Sequence, residues 1–477
     1  MLLDSIDTKF GYALAPLQLD AARRHSAELS SRHAGANGDK MDHLKPQYLD
    51  GGYTPQAWHR TIHLVPAATP RSSYSQPLAG GEPGEELPAG TYEQLAKKPK
   101  AVEKMPFFQD RVPPQPGDFR IGDASASTAL FKPPPTLVWE RLVPHKRSTR
   151  LDAKVIVGVH GLGFCKETFL PLLDGLVNRA GDDDHGIAEV WLVDALGHGA
   201  TAIYNSSSIR SIDAQELLSS QHRVVDSNDY ARDLLQFLTC YVPDALEATL
   251  QGSALPTILP FSPPRIPRQK VVGLGHSFGA TSLLQLCVHL PHLFESICAV
   301  EPILVRDALV DKATRIPLAR FTLLKPDEWP SRAAASESFA QDRMLSAWDP
   351  RVRAAFTAGA LFPANSDASV GAVQRCCNRV AEALCVRGNR PGVQLATHTL
   401  GYIPDTVKIL YISCAKPLLL QLEEVQTTAQ DNIPNLVFET LKGSHGLPLE
   451  SPDAIADSVR QSLLSPISVP VGLPSKL

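Results

Sequence analysis

The stretch "VVGLGHSFGATSLL", residues 271–284, decides the fold. An apolar run ends in Gly275-His276-Ser277-Phe278-Gly279, and a second apolar run begins at once. Gly-x-Ser-x-Gly between a strand and a helix is a nucleophile elbow, a turn tight enough to lift one hydroxyl above a sheet edge. There the hydroxyl meets the positive end of the helix that follows. Side chains at 275 and 279 would strike neighbouring backbone, which is the physical reason for both glycines. The five residues alone also suit a glycine-rich turn with a capping serine. The flanking strand and helix, and the partners found further along the chain, favour Ser277 as a nucleophile.

Outward from the elbow, strand-like and helix-like segments alternate. "TLVWERLVP", "AKVIVGVHG" and "AEVWLVDALGHG" read as strands, the second apolar on both faces. "KETFLPLLDGLVNRAG" and "DSNDYARDLLQFLTCYV" read as amphipathic helices. Beyond the elbow come the helix "ATSLLQLCVHLPHLF", the strands "ESICAVEPIL", "TVKILYISCAKP" and "NLVFETLKGSHG", and a closing helix "SPDAIADSVRQSLL" capped by Ser451. This alternation predicts an α/β protein: a mostly parallel central sheet with helices on both faces.

The chain divides accordingly. Residues 1–60 read as an N-terminal extension, with a short helix in "QLDAARRHSAEL". Residues 61–135 hold a first strand, "RTIHLVPA", and a loop dense in Pro, Gly and Ser. Residues 136–303 form the first part of the core. Residues 304–405, rich in Ala, Arg and Leu, break the rhythm and are expected to be an inserted helical cap. Residues 406–465 complete the core, and 466–477 form a tail.

A serine hydroxyl needs a base, and the base needs an acid to orient it. His445, in "KGSHGLP", lies between the last strand and the last helix, flanked by glycines. His276, next to the nucleophile, is expected to point elsewhere. Two positions compete for the acid. Glu301 ends "SICAVE" at the carboxyl tip of the strand after the nucleophile, the edge where ligands and reactive groups gather in an open sheet. Glu423 and Glu424 follow the later strand, but only after a further apolar stretch. A glutamate behind an apolar strand is costly to bury without a partner such as an imidazolium, which favours Glu301. The oxyanion that forms at the attacked carbon needs N–H donors. Phe278, directly after the nucleophile, and Leu162, in His160-Gly161-Leu162-Gly163, are the expected donors.

The chain of 477 residues carries a formal net charge of −4, so nothing in its bulk electrostatics suggests a nucleic-acid binder, and no nucleic-acid partner is expected. No apolar run reaches membrane-spanning length: "VKILYISCAKPLLLQL" is interrupted by Lys416 and too short. Asp4 and Asp7 stand where a secretory signal would be basic. The eight cysteines are scattered in apolar surroundings and read as reduced core thiols; Cys376, Cys377 and Cys385 could alternatively bind a metal, but no histidine lies at ligand spacing. Ser475-Lys476-Leu477 is the tripeptide read by the peroxisomal import receptor, so a peroxisomal location and that receptor as a partner are expected.

"VHGLGFCKETFLPLL", "DALGHG", "GLGHSFGA", "AVEPIL" and "GSHGLPLE" together resemble the fungal peroxisomal α/β-hydrolases, a group of lipases, acyl-CoA hydrolases and toxin-biosynthesis hydrolases. The resemblance covers about residues 136–465. It implies the α/β-hydrolase fold and places the triad acid on the strand after the nucleophile, hence at Glu301, where many members carry Asp. Cys165 sits where relatives often carry histidine. The implied reaction is cleavage of a small-molecule acyl ester or acyl thioester by Ser277, His445 and Glu301, without metal or organic cofactor. A thioester substrate would need a phosphate site, for which Arg306, Arg315 and Arg320 stand as candidates beside a plain surface-charge reading. A hydrolase-fold protein that only binds is the rival class.

Overall fold

A computed structural model of the chain describes residues 17–33, 38–68, 135–179, 184–205, 227–243, 255–267, 269–304, 322, 325–364, 371–379, 382, 385–386, 390–417 and 422–464. Eleven strands are defined among them: β1 Trp58–Pro66, β2 Thr136–Pro144, β3 Lys154–Val159, β4 Ile187–Val193, β5 Val271–His276, β6 Phe294–Val300, β7 Glu328–Trp329, β8 Leu361–Pro363, β9 Val373–Arg375, β10 Lys408–Cys414 and β11 Leu436–Leu441. Eight of them form one sheet in the order β1-β2-β4-β3-β5-β6-β10-β11. Only β2 runs against its neighbours; the other pairings are parallel.

The parallel strands are apolar on both sides because both faces are covered. In β3, Val155, Val157 and Val159 face one core and Ile156 the other. Tyr411 and Ile412 of β10 divide in the same way. Helices Ser227–Cys240 and Phe278–His289 pack on the first face, and Leu170–Asn178 and Pro452–Val459 on the second. Ser451 occupies the N-cap position of the closing helix, but its side chain makes no capping bond; Pro452 at the first helical position starts the turn instead.

The N-terminal region is more than an extension. In the helix Leu19–His33, Ala22 and Leu29 are buried, Met41 and Leu44 pack against Leu64 and Val138, and β1 itself begins at Trp58. The proline-rich segment after residue 254 runs beside β1: Leu64 donates to Thr257 O at 2.7 Å and accepts from Leu259 N at 3.3 Å. β2 does not alternate between buried and exposed positions. All nine of its residues are buried, with Glu140 paired to Arg60 at 2.6 Å and Arg141 to Glu189 at 2.6 Å.

Between β6 and β10 the described residues form the helices Arg332–Gln341, Pro350–Gly359 and Arg390–Thr399, and also a small antiparallel sheet, β7-β9-β8. The inserted segment is therefore a mixed layer rather than purely helical. Trp329, Phe339, Trp348 and Phe356 give it a core of its own, which also takes in Cys165 and Leu449 of the hydrolase body. All eight cysteines are buried and none forms a disulfide, and no helix among the described residues is long and apolar enough to cross a membrane.

Candidate active site

The elbow forms where β5 ends and the next helix begins. Ser277 has φ 53° and ψ −119°, and its N–H donates to Val300 O at 2.9 Å. A Cβ at Gly275 would lie 2.7 Å from Ala280 N, and one at Gly279 would meet His160 O at 2.6 Å. Both glycines are thus fixed by close approach of backbone. Ser277 is 7% exposed, so its hydroxyl sits at the edge of the core.

His445 arrives on the loop between β11 and the short helix Leu447–Glu450. Its Nε2 lies 2.8 Å from Ser277 Oγ and its Nδ1 3.0 Å from Glu301 Oε2. Ser277 and Glu301 lie 168 and 144 positions from His445 along the chain, and the three meet in one hydrogen-bonded line. With Nδ1–H donating to the carboxylate, Nε2 is left as an acceptor facing the hydroxyl.

Glu301 sits at the tip of β6 at φ 50°, and its N–H donates to Ile412 O at 2.9 Å. Its second oxygen, Oε1, accepts from Cys414 N at 2.7 Å and from Ser413 Oγ at 2.9 Å. Burial pushes this carboxyl up, but the hydrogen bonds from His445, Cys414 and Ser413 outweigh it and hold it below the usual carboxylate range. The end of β10 therefore supplies donors to the carboxylate. Glu423 and Glu424 lie in the helix Leu422–Asn432, away from this line.

The expected oxyanion donors lie in two places. Phe278 is the first residue of its helix, where backbone N–H groups have no partner within the helix. Leu162 lies in the loop after β3, and its N–H has no hydrogen bond among the described residues. The neighbouring amides are engaged: Gly163 N–H donates to His198 Nε2 at 3.0 Å, and Phe164 N–H to Gly161 O at 3.2 Å.

His276 does not point away from the site. Its Nε2–H donates to the backbone carbonyl of His445 at 2.8 Å. The ring stacks on Phe164, with centroids 5.7 Å apart, and a Cβ at Gly161 would lie 2.9 Å from its Nδ1. One ring thus touches the elbow, the loop after β3 and the loop carrying the base. Burial holds its pKa down to about 3, so it is neutral at pH 7. The sequence signal was adjacency to Ser277; only the fold reveals the carbonyl it finds.

Behind the loop after β3 lies a buried charge cluster. Lys166 Nζ is 3.0 Å from Asp194 Oδ2, 3.7 Å from Glu140 Oε2, and also paired with Glu167. Burial acts against the ammonium, but Asp194, Glu167 and Glu140 override it and raise its pKa well above the ordinary value. Lys166 N–H also donates to Asp194 Oδ1 at 2.8 Å, so the cluster anchors this loop to the end of β4. Cys377 Sγ lies 3.3 Å from His198 Nε2, a neighbour that sequence spacing could not disclose. No group of three or more metal-ligating side chains gathers among the described residues. Arg306, Arg315, Arg320 and Ser475-Lys476-Leu477 lie outside the described residues.

The profile of the "Alpha/beta hydrolase family" matches residues 156–458 of the chain. The chain is 27% identical over 202 residues to the Type I acyl-CoA thioesterase mpaH′ of Penicillium brevicompactum, a match covering 42% of this chain and 38% of that protein. A Type I acyl-CoA thioesterase mpaH of Penicillium roqueforti (strain FM164) is 27% identical over 210 residues, 43% of this chain and 40% of that one. The matches therefore span about two fifths of the length of these relatives. In architecture the chain is similar to the peroxisomal α/β-hydrolase Lpx1 of Saccharomyces cerevisiae, with a TM-score of 0.56 and 15% identity over 88% of this chain and 94% of that one. By fold and by family profile, the chain is a member of the α/β hydrolase family.

Proposed function

We propose that the chain is a serine hydrolase that cleaves an acyl ester or acyl thioester through an acyl-enzyme. The observation that carries this reading is the line Ser277 Oγ–His445 Nε2–His445 Nδ1–Glu301 Oε2, with links of 2.8 and 3.0 Å. Ser277 Oγ attacks the acyl carbon while His445 Nε2 takes its proton. The carbonyl oxygen, now an oxyanion, accepts from the amides of Leu162 and Phe278. His445 then returns the proton to the departing oxygen or sulfur, and the carbonyl re-forms on Ser277. Water repeats the sequence, with His445 as base, and releases the acid. Glu301 keeps the imidazole in the accepting tautomer and stabilises its charged form.

The acyl chain would lie against the aromatic wall of the inserted segment. Trp348 and Phe164 meet edge to face at 5.3 Å, Phe164 stacks on His276, and this surface suits an apolar chain of medium or greater length. Between the two leaving groups, the thioester is favoured by the activity named for the Penicillium relatives.

Labelling by a fluorophosphonate probe tests the reaction type: the native chain should be labelled and Ser277→Ala should not, whereas an unlabelled native chain would favour a binding protein. Rates on nitrophenyl esters and acyl-CoAs of graded length then separate ester from thioester. Peroxisomal residence, through the import receptor, belongs to the same reading. A fluorescent protein fused ahead of the chain should collect in peroxisomes, and removal of Ser475-Lys476-Leu477 should return it to the cytosol; an unchanged distribution would refute the address.

A further inference from the structure

We propose that Arg375, at the end of β9 in the inserted segment, is a positioning residue for the oxyanion-binding amide of Leu162. The inference rests on the serine-hydrolase reading and extends it to a side chain 212 positions from the loop it would hold.

Three consecutive peptide groups run from Gly161 to Phe164, and each is pinned. Gly161 C=O shares a planar peptide with the Leu162 N–H. It accepts from His160 Nδ1 at 2.8 Å and from Phe164 N at 3.2 Å. In the next peptide, Gly163 N–H donates to His198 Nε2 at 3.0 Å. In the third, Gly163 C=O accepts from Arg375 Nη2 at 3.1 Å. The first two restraints come from the hydrolase body. In the third, the Phe164 N–H is held by the hydrolase body through Gly161 O, and the carbonyl is held by the inserted segment.

Two further contacts place the same segment over Gly163. Its φ is +78°, and a Cβ there would fall 2.6 Å from Glu382 Oε1, so the Glu382 carboxylate fills the space a side chain would need. Glu382 is paired with Arg375 at 3.1 Å and with Lys325 at 2.8 Å. Cys377, two residues beyond Arg375, reaches the same His198 nitrogen that accepts the Gly163 amide. Arg375 is buried, so water does not compete for the Gly163 carbonyl. Without the guanidinium that carbonyl would lose its partner and its peptide would be held only through the Phe164 N–H; because that N–H braces the Gly161 carbonyl, a shift there would carry the Leu162 amide with it. Donors stabilise an oxyanion only if their direction is set before charge develops. Arg375 thus ties the seating of the inserted segment to the readiness of the site.

The test uses the full chain and three variants: Arg375→Met, Arg375→Lys, and Arg332→Met. Arg332 fastens the inserted segment to itself through the carbonyls of Thr357 and Leu361 and does not reach the loop. The readouts are kcat and KM on a nitrophenyl ester, affinity for an alkylboronic acid whose tetrahedral adduct with Ser277 carries an oxyanion, and thermal midpoint. Arg375→Met should lower kcat about 10- to 100-fold, weaken the boronic acid in parallel, and leave KM within about two-fold. Arg375→Lys, which keeps a cation beside Glu382, should fold and recover part of the loss. Arg332→Met should lower the thermal midpoint while kcat and boronic-acid affinity stay within about two-fold of native. Unchanged kcat in both Arg375 variants, a loss matched by Arg332→Met, or a loss confined to KM would overturn the inference. A native chain that neither turns over ester nor binds the boronic acid would sink the serine-hydrolase reading and this inference with it.

Discussion

Glu301→Gln is a nearly isosteric change whose outcome follows from the donors around the carboxylate. Oε1 accepts from Cys414 N and Ser413 Oγ, and Oε2 from His445 Nδ1. A glutamine has one acceptor oxygen and one NH2. If the NH2 turned toward β10 it would face the fixed Cys414 N–H, donor against donor. The amide oxygen therefore takes the β10 side, and the NH2 faces His445. It then donates to Nδ1 and forces the imidazole proton onto Nε2, the nitrogen 2.8 Å from Ser277 Oγ that must accept. The variant folds with the site intact and the base in the wrong tautomer. The corresponding change in a Ser-His-Asp enzyme lowers kcat about ten-thousand-fold, equivalent to about 5.5 kcal/mol of barrier. The same order is expected here for kcat on a nitrophenyl ester and for the rate of fluorophosphonate labelling. Glu301→Asp, drawn back by about 1.5 Å, should fall in between. If Glu301→Gln retains activity within about ten-fold while loss of Glu423 or Glu424 abolishes it, the acid lies after β10 and the argument is wrong.

Other consequences follow from neighbouring groups. His276→Phe keeps the ring against Phe164 but removes the donor to His445 O; kcat should drop about ten-fold with folding retained, and equal activity would show that the carbonyl needs no partner. Lys166→Met leaves Asp194 and Glu167 buried without their cation and should cost about 3–5 kcal/mol in urea unfolding; a loss below 1 kcal/mol would mean that these acids are neutral in the native fold. Acid should destabilise the protein through His160, His198 and His276, which burial holds at pKa values of about 4, 3 and 3 against an ordinary 6.5. Above pH 6.5 these groups are neutral in both states. Below it the unfolded chain binds protons that the folded chain refuses; these three groups together should lower stability by about 4 kcal/mol per pH unit, and His25, His63 and His289, each held down to about 4 by burial, add to the fall. A flat stability between pH 7 and pH 5 in denaturant titrations would contradict this.

Legibility followed the range of the interactions. The core strands could be read because both of their faces are apolar, and the elbow because close packing admits only glycine at 275 and 279. Ser277, His445 and Glu301 were legible as types in fold order, and the structure brings their side chains together. The N-terminal packing was hidden, since the helix Leu19–His33 buries only a narrow stripe, His25 reaching Thr136 of β2 at 3.3 Å, and it is Met41 and Leu44, after the helix, that pack on β1 and β2. β7, β8 and β9 are two or three residues long, too short for any period to register. His276 and Arg375 each grip a backbone carbonyl from far along the chain, and a carbonyl has no letter in a sequence.

Among the described residues, the two non-glycine positions with positive φ are Ser277 and Glu301. Such conformations cost about 1–3 kcal/mol each, and a glycine would adopt either without complaint. The fold therefore works against its own thermal tolerance at the two places where the proposed nucleophile and acid sit. Ser277→Gly should yield a sturdier and inert protein, whereas Glu301→Gly would also strip the Cys414 and Ser413 donors of their acceptor and lose that gain.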